Sequence, residues 1–231
     1  MQLKKYQART LKILSEFLID AKIVGNEKAF EKYQDAQGYN PDYQPLRNLE
    51  KVPYICLRLP TGGGKTLIGT NAISLAAENF IERDFPFVLW LVPSNEIRRQ
   101  TLKVLSNPNN FYSRILYKNF NGRINIFDVA DFNRLRPQDL MQALNVCVAT
   151  FQSFKVEDRE GRKVYQANEE LGACFTKIPC QNYFILDEKQ RYESRRSFLC
   201  SMYRRKSERG NLDKEYRTRT RIFFLVTYTQ R

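Results

Sequence analysis

The sequence predicts an α/β domain of three layers, a mainly parallel sheet covered by helices on both faces. Three observations carry this. Short apolar runs alternate with longer segments that suit helices. The runs are almost continuously apolar, as strands buried on both faces must be. The first of them leads at once into a glycine-rich turn and then a helix. The chain of 231 residues is long enough to bury a sizeable core.

Along the chain, Leu3, Tyr6, Leu11, Leu14 and Leu18 recur at spacings of three to five with charges between them, so residues 3–20 read as an amphipathic helix. Residues 25–50 are polar, carry Gly25, Gly38, Pro41 and Pro45, and read as a loop or a peripheral insertion. Residues 54–59 are the first strand, and residues 65–80 suit a helix. Residues 87–92 are the second strand, stopped by Pro93, and Ser94 caps a helix that runs to about residue 105. Residues 124–129, 146–149 and 183–186 are further strands, and residues 222–226 a sixth. Residues 155–180 are a polar excursion between strands. The expected organisation is an N-terminal helix (1–24), a loop or insertion (25–50), the main α/β domain (51–188) and an atypical basic tail (189–231).

Apolar residues make up 42% and charged residues 27%, a globular balance. No apolar run approaches the roughly 20 residues of a membrane helix. The start reads as an amphipathic pattern and not as a signal peptide. Cys56, Cys147, Cys174, Cys180 and Cys200 form no C-x-x-C pair, which points to a reducing, cytoplasmic setting instead of a disulfide framework or zinc site. Histidine is absent, so histidine-based catalysis is excluded. The net charge of +13 suits a polyanionic partner. Residues 189–231 hold 13 basic against 4 acidic side chains, so most of that excess belongs to the tail.

The strongest chemical signal is Pro60-Thr61-Gly62-Gly63-Gly64-Lys65-Thr66. Glycines let the backbone curl so that successive N–H groups converge at a helix N-terminus, which already favours anions. Lys65 supplies a cation for the β- and γ-phosphates of ATP, and Thr66 a hydroxyl for Mg²⁺. Such a loop needs a carboxylate on a neighbouring strand to hold the metal and activate water. Tyr183-Phe184-Ile185-Leu186-Asp187-Glu188 provides it, with Asp187 assigned to Mg²⁺ and Glu188 to the general base. Alone, the two acids would read as a solvated strand end. Downstream of the loop they read as functional.

Together these residues resemble the first motor domain of superfamily 2 DEAD/DEAH-box-like helicases, closest to the Res (ATPase/translocase) subunit of type III restriction enzymes. The carriers are Tyr6-Gln7, the loop in its short Pro-Thr-Gly-x-Gly-Lys-Thr form, Leu91-Val92-Pro93-Ser94, Ala149-Thr150-Phe151-Gln152-Ser153-Phe154, and Ile185-Leu186-Asp187-Glu188. The resemblance implies a RecA-like P-loop NTPase fold, with ATP and Mg²⁺ as cofactors and Thr61, Gly62, Gly63, Gly64, Lys65 and Thr66 around the phosphates. It implies that Gln7 reads the adenine edge, the alternative being a surface glutamine. Pro93, Ser94, Thr150 and Gln152 would contact nucleic-acid phosphates without reading sequence. Arg98 and Arg99 add charge there or line a solvated helix face. DNA is the implied substrate, and a modification/specificity subunit the implied partner.

The resemblance breaks after the acids. Relatives continue Asp-Glu-Ala-His, whereas this chain continues Asp187-Glu188-Lys189-Gln190-Arg191. The nearest match to a Thr-Ala-Thr-Pro-like segment is Thr227-Tyr228-Thr229-Gln230. A truncation or frame change after Glu188 would produce this, and a genuine basic arm for nucleic acid is the alternative. In the family, a second motor domain supplies arginines to the γ-phosphate, and such arginines are worth ~10³–10⁵ in rate in related NTPases. The expectation is therefore ATP binding with weak turnover. The rival functions are a catalytically silent nucleic-acid-binding remnant that uses its basic tail, and a small-molecule kinase with the same loop.

Overall fold

The computed structural model describes residues 3–34, 42–45, 52–60, 62–136, 138–154, 156–157, 163–164, 182–187 and 221–230. The amphipathic start forms α1 (Lys5–Val24), which buries Leu11, Leu14, Phe17, Leu18 and Ala21 and stops at Gly25 with φ 91°. A second helix follows, α2 (Asn26–Gln34). Residues 26–34 are thus helix where the sequence reads as a loop or a peripheral insertion over residues 25–50. Asn26 and Ala29 are buried, and Phe30 and Tyr33 pack on the core, a stripe at helical spacing. Glu27, Lys28, Glu31 and Lys32 fill the rest of the helix and lower its overall hydropathy enough to hide the stripe. Residues 35–41 and 46–50 of that stretch lie outside the described residues.

β1 (Tyr54–Pro60) leads through the glycine turn into α3 (Lys65–Ala76), which continues as one π-helical turn, Ala77–Ile81. β2 (Phe87–Val92), α4 (Asn95–Ser106), α5 (Phe111–Asn119) and β3 (Ile124–Asp128) follow. A 3₁₀ turn, Val129–Arg134, and α6 (Asp139–Gln142) lead to β4 (Leu144–Thr150). Within the expected polar excursion, β5 (Val156–Glu157) and β6 (Lys163–Val164) pair antiparallel. β7 (Asn182–Asp187) and β8 (Arg221–Gln230) complete the main sheet.

That sheet has six strands in the order β1-β8-β7-β2-β4-β3, and every neighbouring pair is parallel. The path from β1 to β2 to β3 steps one way across the sheet, and the path from β3 through β4 and β7 to β8 steps back. Right-handed crossovers place the two sets of connections on opposite faces. The packing agrees. Val88, Trp90 and Val92 of β2, with Leu144, Val146 and Val148 of β4, join the core formed with α1 and α3. Phe87 of β2 and Phe127 of β3 turn the other way and meet Phe132 of the 3₁₀ turn, at ring-centroid distances of 5.9 and 6.2 Å. All six residues of β2 are buried, which is why its sequence shows no alternation.

Candidate functional site

Because all six strands run parallel, their C-terminal ends share one edge of the sheet. The register sets the levels along it. Asp187 lies beside Leu91 of β2 and Val226 of β8, and Val92 lies beside Thr150 of β4. β8 separates the strand carrying Asp187 from β1. Val226 pairs with Cys56, whereas Gln230 pairs with Pro60, so β1 and β8 run on past the level of Asp187 before the glycine turn begins. This edge therefore collects the glycine turn, the strand end bearing Asp187, and the Pro93-Ser94 and Thr150 segments. Thr61 and Glu188 lie outside the described residues.

In the turn, Gly62 (φ 70°) and Gly64 (φ 82°) occupy the left-handed region, where a Cβ is strained. Gly64 is the N-cap of α3, and its carbonyl accepts the first helical bond from the Ile68 N–H at 2.9 Å. Lys65 and Thr66 open the helix and are half-buried. Below them Leu67, Ile68, Ala72 and Ile73 are buried, so the helix axis is fixed by packing. A helix N-terminus held this way, with glycines ahead of it, is an anion-binding geometry.

α1 presses on the same turn. The Gln7 side chain is 3% exposed, which removes the surface-glutamine reading. Its Nε2 donates to the Gly63 carbonyl at 2.9 Å, and its Oε1 accepts from the Lys4 backbone N–H at 3.0 Å. The Tyr6 hydroxyl also donates to the Gly63 carbonyl, at 3.0 Å. In the sequence Tyr6 read as part of the helix's apolar pattern and as Gln7's neighbour, with no role at the site.

Among the described residues, no group of three or more Cys, Asp or Glu side chains stands ready to hold a metal. A Mg²⁺ ion held through Thr66 and Asp187 would draw its other ligands from phosphate and water, as Mg²⁺ commonly does. The Cys147 thiol on β4 is fully buried. Burial, with a smaller contribution from the negative charge of Asp128, pushes its pKa up, so it stays neutral and is no nucleophile.

Toward β4 and β3, the Ser94 Oγ accepts from the Ile97 N–H at 3.3 Å, which is the predicted helix cap. The Thr150 side chain is 2% exposed. Its hydroxyl lies 2.9 Å from the Ser153 hydroxyl and accepts from the Ser153 N–H at 3.3 Å, capping the short 3₁₀ turn Phe151–Phe154. Gln152 is exposed and Pro93 half-buried. Of the two arginines on α4, Arg99 is solvated. Arg98 is not: its Nε sits 3.3 Å from Asp128 Oδ2, and each side chain is 21% exposed. The other oxygen of Asp128 accepts from the Ala130 N–H at 3.0 Å. Asp128 was missed from sequence, and Ser153 stood in the Ala149–Phe154 segment without a role. The available signal was a carboxylate at a strand end and a Thr-x-x-Ser spacing, both too common to single out.

The family model for the type III restriction enzyme, res subunit, matches residues 1–217, past Glu188 and into the basic stretch. No curated protein matches the chain.

Proposed function

Since the chain belongs to the type III restriction enzyme res-subunit family, whose members are ATP-dependent helicase/translocase motors with a RecA-like fold, we propose that it binds Mg²⁺-ATP at the glycine turn and DNA along the adjoining sheet edge. In this reading the backbone N–H groups of Gly62, Gly63 and Gly64 cradle the phosphates and Lys65 neutralises the β- and γ-phosphates. Thr66 and Asp187 hold Mg²⁺, which supplies charge stabilisation at the γ-phosphate. Glu188 takes the proton of the attacking water. Pro93, Ser94, Thr150 and Gln152 border the DNA backbone, with Gln152 the most open of them. A modification/specificity subunit is the partner proposed from the family, and the cytoplasm the location. No helix among the described residues is long and apolar enough to cross a membrane.

One observation carries the reading: a strand, a turn with two left-handed glycines and a packed helix N-terminus share an edge with Asp187 across a single intervening strand. Lys65→Ala tests it. A hydrogen bond to a charged group is worth about 1.5–3 kcal/mol, so calorimetric titration should show ATP binding weakened by at least about tenfold. Unchanged ATP affinity in Lys65→Ala rules out the motor reading. Lys189 and Gln190 stand where relatives carry Ala-His, so we expect DNA to stimulate hydrolysis weakly. Lys189→Ala combined with Gln190→His should strengthen that stimulation in a steady-state ATPase assay.

A further inference from the structure

We propose that Tyr6 and Gln7 are positioning residues for the triphosphate, holding the Gly63 carbonyl from α1 and thereby orienting the Gly64 N–H within the anion-binding turn. This rests on the nucleotide-binding reading above and deepens it. One backbone carbonyl receives two side-chain donors, the Tyr6 hydroxyl at 3.0 Å and Gln7 Nε2 at 2.9 Å, from a helix more than fifty residues away in sequence. Gln7 is itself held, buried and fixed at its other end by the Lys4 N–H. The fit is close, since a Cβ on Gly64 would lie 2.6 Å from Gln7 Nε2.

The consequence follows from peptide geometry. The described chain has no cis peptide bond, and across a planar trans peptide the carbonyl of Gly63 and the N–H of Gly64 point in opposite directions. A carbonyl drawn toward α1 turns that N–H to the far side, where the N–H groups of such a turn converge. Three successive glycines are the freest stretch a chain can have. Left unheld, the Gly63–Gly64 plane would sample the flipped orientation, which presents an oxygen to a phosphate instead of a hydrogen. The two side chains remove that alternative. Through these two bonds Gln7 acts on the phosphate end of the site.

The test separates the two ends of the nucleotide with a probe that has no base. Mg²⁺-tripolyphosphate and Mg²⁺-ATP are titrated calorimetrically into the full chain, Tyr6→Phe, Gln7→Met and the double variant, with DNA affinity and thermal unfolding measured alongside. A single net hydrogen bond is worth about two- to tenfold in an equilibrium. Each single variant should weaken tripolyphosphate and ATP by the same factor in that range and the double variant by more, with DNA affinity unmoved and thermal unfolding still cooperative. ATP weakened with tripolyphosphate unchanged would overturn the proposal, because the two residues would then act at the base. So would both affinities unchanged. Should Gln7→Met fail to fold, Tyr6→Phe carries the test, since it removes one oxygen from a side chain 37% exposed. If the unaltered chain binds neither probe, the nucleotide-binding reading fails first and the positioning role of Tyr6 and Gln7 with it.

Discussion

Gly64 is constrained twice, by its backbone and by its neighbour. Its φ of 82° is a conformation that costs an ordinary residue about 1–2 kcal/mol, and the space where a Cβ would sit is taken by the Gln7 amide. Gly64→Ala should therefore distort the turn and lower ATP affinity by about tenfold or more. A titration in which Gly64→Ala binds ATP as the parent does would show that the turn adopts another shape when loaded. Of the two constraints, only the first was legible in the sequence. Gly-x-Gly-Lys-Thr announces a curled backbone because the needed residues are contiguous. The amide at Gly64 comes from a glutamine whose distance in space no local pattern encodes. The same holds for Arg98. Its place on α4 could be read, but Asp128 arrives from the end of β3 and turns an apparently solvated charge into a half-buried pair. Thr150 adds a second case: its hydroxyl, read from sequence for a ligand, also satisfies the adjacent turn.

Between elements, α1 and α2 are tied by one carboxylate. Asp20 accepts from the Lys32 ammonium and from the Tyr33 hydroxyl, each at 2.7 Å. These two hydrogen bonds, Lys32 first, hold the Asp20 pKa below the usual carboxylate value, with desolvation opposing them. A depressed pKa means stability that is present above the unfolded value, about 3.9, and lost as pH falls through the lower folded value. Asp20→Asn should therefore unfold at a lower temperature than the parent near neutral pH, and the gap should close in acid below that folded value. A gap that stays constant down the whole acid range would mean Asp20 contributes nothing through its charge. This junction was invisible in sequence because α2 is short and mostly charged, so its narrow apolar stripe does not lift the average hydropathy. β2 was legible for the opposite reason: buried on both faces, it could only be a continuous apolar run.

At the scale of the whole molecule, the last described strand sits near the middle of the chemistry. β8 pairs with β1 from Tyr54↔Phe224 to Pro60↔Gln230 and with β7 from Asn182↔Arg221 to Asp187↔Val226. The alternation of apolar runs told that a parallel sheet forms, and residues 222–226 read as one of its strands. No run discloses its own neighbours, so the insertion of β8 between the strands of the glycine turn and of Asp187 came only from the structure. Without β8, β1 and β7 would face each other across an unfilled gap, each with an unpaired ladder of N–H and C=O groups, and exposed edges of that kind template association. Leu225→Pro tests this with one residue. Leu225 pairs with Ile55 on one side and Leu186 on the other, and a proline there removes a ladder donor in a strand with partners on both sides. Trp90, the single tryptophan, is fully buried in β2 next to β7, so its fluorescence reports the integrity of the sheet. The expected outcome is a loss of the cooperative Trp90 transition, increased light scattering, and loss of ATP binding although no residue of the turn has changed. Should Leu225→Pro unfold cooperatively at the parent temperature and bind ATP equally well, β8 is not what sets the distance between the glycine turn and the strand of Asp187.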